Sequence, residues 1–138
     1  MARRSPDRTP DRVDRSRLGS YLRGIRTAGG ETRERQLLAL AGLAGLGDPV
    51  MPAIQAATAD PALTDHERLM LGLGAVALGD AATARSVAAT LIAERGQRIG
   101  DQARLRVGTS GREITEATTL MAILSAWLGD PRASSFWA

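Results

Sequence analysis

The 138-residue chain contains no cysteine and no lysine, and its only histidine is His66. Without cysteine, this stretch has no disulfide, no thiolate metal site and no cysteine nucleophile, and one histidine excludes any site that needs two imidazoles. The chain also lacks a run of about 18 apolar residues and the apolar segment of a secretory signal. As written, the sequence predicts a soluble, cytoplasmic protein, or an extracellular one if it is a fragment of an exported parent.

Side-chain groupings that could support catalysis are also few. A phosphate-binding P-loop is excluded because it requires lysine. His66 lies between Asp65 and Glu67, and adjacent helix positions point apart, so these three side chains cannot grip one metal ion. Glu113 and Glu116 could place two carboxylates side by side, but Glu113 is already explained as a helix-capping residue. We therefore predict no enzyme activity and assign no metal and no cofactor to any residue.

Positive charge is concentrated at the start of the chain. Residues 1 to 26 carry eight arginines and three aspartates, whereas residues 27 to 138 carry ten arginines and twelve acidic residues. The first 15 residues have too few large apolar side chains to offset the entropy of ordering, so we predict a disordered arm that ends near Arg15. An early helical turn after Thr9 and Pro10 is the alternative.

The arginines of this region offer an alternative function, nucleic-acid binding, because they could neutralise several phosphates. The candidate contacts are Arg3, Arg4, Arg8, Arg12, Arg15 and Arg17. Three aspartates are interleaved with them, and no aromatic residue precedes Tyr21 to stack on a base. Arginine is also the residue that a GC-rich genome favours, so nucleic-acid binding is the second hypothesis.

From residue 16 onward the chain repeats one theme. Leu46-Gly47-Asp48, Leu78-Gly79-Asp80 and Leu128-Gly129-Asp130 each follow an apolar segment of about four turns. Glycine suits the left-handed position that ends a helix, and the aspartate can cap the next one. This predicts an all-α fold of antiparallel helical hairpins over residues 16 to 138. The second interval between copies is longer than the first, and the extra length lies in residues 96 to 112.

The segments before and after each Leu-Gly-Asp differ in their apolar pattern. Residues 32 to 46 and 64 to 78 are apolar around nearly the whole circumference, which predicts helices buried on most sides. Thr64 with Glu67, and Ser110 with Glu113, have the spacing of capping boxes that begin helices. Residues 80 to 95 carry a single apolar stripe and are predicted to be half exposed; the stripe consists of Ala84, Val87, Ala88 and Leu91.

Two segments interrupt this pattern. Apolar and arginine residues alternate from Ala103 to Val107, and Gly100-Asp101 could turn the chain, which predicts a short β-hairpin near 97 to 108. Asp130 and Pro131 begin a further helix that supplies Phe136 and Trp137 at the end of the sequence. Exposed aromatic residues favour association. We therefore expect a truncated parent or a missing partner.

Three features together resemble part of an α/α-toroid: apolar helices that end in Leu-Gly-Asp, amphipathic helices that return from them, and a hairpin-like insert before the segment from Glu113 to Ala122. The resemblance is to the thioester-domain region of bacterial alpha-2-macroglobulin-like proteins and covers residues 31 to 138. It implies a fragment of a larger, exported protein. The reactive thioester motif is absent, so covalent trapping is assigned to no residue. A tetratricopeptide-like solenoid is the second resemblance, through Gly-Asp-x-x-x-Ala at 79 to 84.

The sequence as a whole predicts a non-catalytic helical-repeat segment with a structural or protein-interaction role. We expect a protein partner, or a second copy, to bind at the open ends of the helical stack. The predicted contacts are Leu128, Phe136 and Trp137.

Overall fold

The computed structural model describes residues 11 to 131 and residue 133, with the side chains of 11 to 13 left out. This part of the chain is all-α with one short β-hairpin, as predicted. In chain order, its elements are α1 (Asp11–Thr27), α2 (Arg33–Gly45), α3 (Met51–Thr58), α4 (Asp65–Ala77), α5 (Ala81–Arg95), β1 (Gly96–Ile99), β2 (Gln102–Leu105) and α6 (Gly111–Trp127).

Helix α1 begins at Asp11, inside the segment of residues 1 to 15 that the sequence assigned to a disordered arm. Residues 11 to 15 are therefore helical, whereas Thr9 and Pro10, on which the alternative of an early helical turn depends, lie outside the described residues. Leu22 packs against the core, and arginine is a good helix former, so the helix continues outward from this anchor through exposed charged residues. Residues 1 to 10 lie outside the described part of the chain.

All three Leu-Gly-Asp segments end a helix in the way the sequence predicted. Gly47, Gly79 and Gly129 have φ angles of 88°, 88° and 69°. The next N–H, that of the aspartate, donates to the carbonyl five residues earlier at 2.9–3.0 Å in each copy. This pair of features is the Schellman motif, which satisfies carbonyls at the end of a helix while the chain reverses.

The aspartates of these turns do not all act as predicted. Asp80 caps α5, because its carboxylate accepts from the N–H of Thr83 at 3.1 Å. Asp48 does not cap α3, whose N-cap is Val50. It accepts instead from the guanidinium of Arg23 in α1 at 2.8 Å. This contact joins residues 25 positions apart, so the local sequence could not reveal it.

Two successive helix pairs, α1 with α2 and α3 with α4, make the same apolar contact at equivalent positions. A Cβ added at Gly42 would lie 2.9 Å from Cδ1 of Leu22, and one added at Gly74 would lie 3.2 Å from Cδ1 of Ile54. Glycine therefore lets the backbones approach at both positions. The two pairs also share a threonine N-cap, at Thr32 in α2 and at residue 64 in α4.

The polar contacts of these two pairs recur in the same way. Arg23 of α1 donates to Asp48 after α2, and Gln55 of α3 donates to Asp80 after α4. In the sequence, Gln55 follows Arg23 at the same interval at which Asp80 follows Asp48. The polar contacts, like the apolar ones, thus occur at equal sequence intervals in the two pairs.

Helices α2, α4 and α6 lie side by side in one layer, with α4 in the middle. A Cβ at Gly74 would lie 3.3 Å from that of Ala44 in α2, and one at Gly72 would lie 3.3 Å from Cδ2 of Leu124 in α6. Helix α4 also packs against α3 and α5, and Leu69 is fully buried. The predicted burial of this helix is confirmed, as is the α5 stripe, whose four residues are its buried ones.

The predicted β-hairpin is present and follows α5 directly. Strands β1 and β2 pair antiparallel, with Gly96 opposite Leu105 and Ile99 opposite Gln102. Leu105 is fully buried, and its N–H donates to the hydroxyl of Thr118 in α6 at 2.9 Å. The hairpin is thus fixed to the layer that contains α6.

Candidate interaction face

One side of the layer formed by α2, α4 and α6 carries three stripes with the same helical spacing. The stripes comprise positions 34, 38, 41 and 45 in α2, positions 66, 70, 73 and 77 in α4, and positions 116, 120, 123 and 127 in α6. The spacing i, i+4, i+7 and i+11 keeps residues on one side of a helix. The sequence interval between corresponding members of two stripes equals the interval between the Leu-Gly-Asp turns that follow the same two helices.

The first members of the three stripes meet in space. Glu34, His66 and Glu116 line one cavity of about 300 Å³ at the N-terminal ends of the three helices. The cavity also contains Val107 and Glu113. Because residues with equal register share this cavity, the remaining members of the stripes follow as further rows across the layer.

The next rows are apolar, and most of their side chains are reached by solvent; Ala41 is buried, and Leu73 and Leu120 also pack against the core. Leu38 is 41% exposed and Trp127 is 60% exposed. Four further side chains are half-buried: Met70, Leu73, Leu120 and Ile123. We call these six residues the open face. The other sides of the same helices contact α1, α3, α5 and the hairpin, so the open face is the side of the layer that these elements leave uncovered.

Carboxylates form one border of the open face. The side chains of Glu34 and Glu116 are exposed, and their carboxylates make no hydrogen bond or ion pair with another described residue. Glu113 differs, because it accepts from the backbone N–H groups of Ser110 and Thr109, which together with the Ser110 hydroxyl lower its pKa. Glu113 is thus committed to beginning α6, as predicted, while the other two carboxylates remain available.

The structure describes only one of the three predicted partner contacts. Leu128 is the half-buried C-cap of α6 and packs against the core. Phe136 and Trp137 lie outside the described residues. Sequence reasoning missed Trp127, the exposed neighbour of Leu128, and also Leu38, because it took the apolar helices as enclosed on most sides. The equal spacing of the three stripes is the signal that could have revealed them.

The residues of the nucleic-acid hypothesis are described only in part. Arg15 and Arg17 are exposed on α1, the side chain of Arg12 is not described, and Arg3, Arg4 and Arg8 lie outside the described residues. Helix α1 packs mainly against α2, at the edge of the layer. Arg15 reaches the end of α2, where its guanidinium donates to the carbonyl of Leu46 at 3.4 Å.

Two further features bear on the class of site. Among the described residues, no three histidine, aspartate or glutamate side chains are arranged to hold a metal ion. In the same part of the chain, every helix is too short or too polar to cross a lipid bilayer.

No protein-family model, no curated protein and no solved structure matches this chain. The resemblance to an α/α-toroid therefore stays a prediction.

Proposed function

We propose that this chain is a non-catalytic helical-repeat module that binds another polypeptide on its open face. The observation that carries the proposal is the coincidence of the three stripes, which brings Leu38, Leu120 and Trp127 with their neighbours onto one side of a single layer. Scattered exposed apolar residues are ordinary, but a contiguous group with a polar border is typical of an interaction site.

The recurrence of the same contacts in successive helix pairs supports the repeat character of the module. In helical-repeat proteins each unit contacts its neighbours, and the stacked units form an extended binding surface. Here Leu22 over Gly42 and Ile54 over Gly74 occupy equivalent places. The hairpin β1–β2 lengthens the third unit, which accounts for the unequal spacing in the sequence.

The open face provides a driving force for binding without a polar site. Complete burial of an exposed leucine or methionine side chain stabilises an association by about 1.5–3 kcal/mol. The open-face residues already lose part of their exposure in the free protein, so each contributes less than this. Several such side chains in one patch are still the kind of anchor on which protein interfaces depend.

The proposal is tested with a peptide display library of random 16-residue segments, selected against the whole chain. Selected peptides should bind the wild-type protein and lose at least about tenfold in affinity for Leu38→Glu/Trp127→Glu, about 1.4 kcal/mol. The matched control is Leu18→Glu/Ile99→Glu, which changes two residues that are 46% and 52% exposed outside the open face. Circular dichroism establishes that both variants fold. Equal binding to the two variants contradicts the proposal.

The other hypotheses have less support from the described residues. Contact through Leu128, Phe136 and Trp137 predicts that deletion of residues 134 to 138 reduces self-association in sizing chromatography. Nucleic-acid binding predicts a salt-sensitive gel shift that removal of residues 1 to 16 abolishes. The carboxylates of Glu34 and Glu116, which have no described ion-pair partner among residues 11 to 131, border the open face, and they disfavour phosphate at that surface.

A further inference from the structure

We infer that the segment bound by the open face is an amphipathic helix of three to four turns, lying across α2, α4 and α6, with basic side chains along one flank. This inference rests on the proposed function and specifies its partner. It follows from the length of the apolar rows, from the backbone of the surface beneath them and from the charges at their borders.

The apolar rows run across the three helices and set the length of the partner. Leu38, Met70 and Leu120 occupy equivalent positions on α2, α4 and α6. Packed helices lie about 8–10 Å apart, so this row extends over about 20 Å. A helix rises about 1.5 Å per residue and covers that distance with about 13 residues. Methionine in the middle of the row adapts to different partner side chains.

The open face also determines the secondary structure of its partner. Its backbone is helical on α2, α4 and α6, so the N–H and C=O groups within these helices are already paired. An extended segment buried on the apolar rows would find no backbone partner and would lose the hydration of its own amides. A helix pairs its backbone internally, and its side chains can fill the spaces between the rows.

The two borders of the row differ in charge. On one side, the row of Glu34, His66 and Glu116 carries two exposed carboxylates without an ion pair among the described residues. On the other side, the last row consists of Gly45, Ala77 and the open-face residue Trp127 and contains no acidic residue. The charge next to it is positive, because the guanidinium of Arg15 donates to the carbonyl of Leu46 at 3.4 Å. A partner helix with lysine or arginine on one flank and uncharged residues on the other complements both borders. Exposed ion pairs add little affinity, so the charges act mainly on orientation and choice of partner.

The experiment uses a library of 16-residue peptides with leucine at positions 2, 6, 9 and 13, and with the positions on both flanks randomised among lysine, glutamate and glutamine. After selection on the whole chain, we expect lysine to be enriched on one flank only. Affinity of a selected peptide, measured by fluorescence anisotropy, should fall about three- to tenfold for Glu34→Gln/Glu116→Gln, as expected for two exposed ion pairs.

Two controls test separately the role of the two carboxylates and the helical conformation of the peptide. The variant Glu94→Gln/Asp101→Asn removes two exposed carboxylates elsewhere and should leave the affinity within twofold. A selected peptide with proline at position 8 cannot remain helical and should lose at least tenfold in affinity.

The outcomes distinguish this inference from the proposed function. Enrichment of glutamate, no enrichment of lysine on a flank, or undiminished binding of the proline peptide overturns the inference. If random-library peptides still depend on Leu38 and Trp127 in that case, the proposed function stands. If selected helical peptides bind equally to Leu38→Glu/Trp127→Glu, both fail. Binding of a second copy of this chain in place of the peptides, seen as a concentration-dependent dimer that the same variant abolishes, overturns the assignment of the partner.

Discussion

At the scale of single residues, the glycines of this chain serve opposite purposes. Gly79 ends α4 with a φ of 88°, where an added Cβ would meet no atom within 4 Å. A side chain at this position is therefore disfavoured by backbone conformation alone. Gly45 lies in the last turn of α2 with helical backbone, and it too has open space around its Cα. The two positions differ only in the conformation they require.

The same substitution at these two glycines should change stability in opposite directions. Gly79→Ala should lower the free energy of unfolding by about 1–2 kcal/mol, because an L-residue is strained in the left-handed region. Gly45→Ala should raise it by about 0.5 kcal/mol, because alanine is the better helix former. Urea denaturation of both variants provides the measurement. A loss of stability in both would show that space, and not backbone conformation, decides these positions.

Asp80 combines two tasks in one carboxylate. The Thr83 hydroxyl, the Gln55 amide and the Thr83 N–H all donate to it, and these hydrogen bonds hold its pKa below the ordinary value. It therefore begins α5 and fastens α3 at the same time. Both tasks favour the charged form of the carboxylate.

Replacement of Asp80 by asparagine should reduce the sensitivity of the fold to acid. A lowered pKa in the folded protein contributes stability above the ordinary pKa of aspartate, and this contribution disappears as the pH falls through the pKa of the folded state. Asparagine still caps a helix but does not titrate in this range. The difference in free energy of unfolding between wild type and Asp80→Asn should shrink as the pH falls from about 5 to 3.

Denaturant titrations at several pH values measure this difference. Thr83→Val removes the largest cause of the lowered pKa, so it should weaken the same pH dependence in part. A difference between wild type and Asp80→Asn that stays constant from neutral pH to acid would rule out the role assigned to this carboxylate.

At the scale of elements, the hairpin depends on α6 through one buried hydrogen bond. The N–H of Leu105 in β2 donates to the hydroxyl of Thr118, and both residues are buried. An N–H at the free edge of a two-stranded sheet can donate to water where it is exposed, but a buried one needs an acceptor from a neighbouring element. Thr118 provides this acceptor from within a helix.

Replacement of Thr118 by valine removes the hydroxyl but keeps the shape of the side chain, and it should destabilise the protein. Thr118→Val leaves a buried N–H without an acceptor, which costs about 1–3 kcal/mol. Thr118→Ser retains the oxygen and should cost less than the valine variant. Thermal and urea denaturation of the two variants give the comparison. If serine destabilises more than valine, packing of the methyl group outweighs the hydrogen bond.

The boundaries of α2, α4, α5 and α6 and the hairpin could be predicted from sequence because their causes are local. Each of these features depends on residues a few positions apart. Examples are the positive-φ glycine at position 79, the capping boxes of Thr64 and Ser110, and the turn at Gly100. The role of Asp48 could not be predicted in this way, because Arg23 reaches it from another helix.

The open face was missed for a different reason. A helix that is apolar on all sides has several faces that could be buried, and its sequence does not say which side the neighbouring elements leave uncovered. In α2, Leu43 is fully buried and Leu38 is 41% exposed, although both are leucine. Their difference arises from the positions of α1, α3 and α4, which only the tertiary structure provides.

At the scale of the whole molecule, stability is centred on α4. This helix contacts α2, α3, α5 and α6, and its small residues Gly72 and Gly74 let all four neighbours approach closely. Helix α1 lies at the edge and packs mainly against α2. Of the α1 residues whose burial is described, only Gly19 is buried. The number of packed neighbours therefore falls from the centre of the molecule to its N-terminal edge.

This gradient predicts the order in which backbone amides exchange with solvent. Amides of α4 should exchange only through global unfolding, because opening this helix disrupts the contacts of four neighbours. Amides of α1 should exchange earlier, through a local opening that leaves α2 to α6 folded. Hydrogen exchange read by mass spectrometry on peptic fragments gives the protection of each helix. Added denaturant should accelerate the exchange of α4 steeply and that of α1 weakly, since local opening exposes less surface. Equal protection and equal denaturant dependence in both helices would show instead that the molecule unfolds as a single cooperative unit.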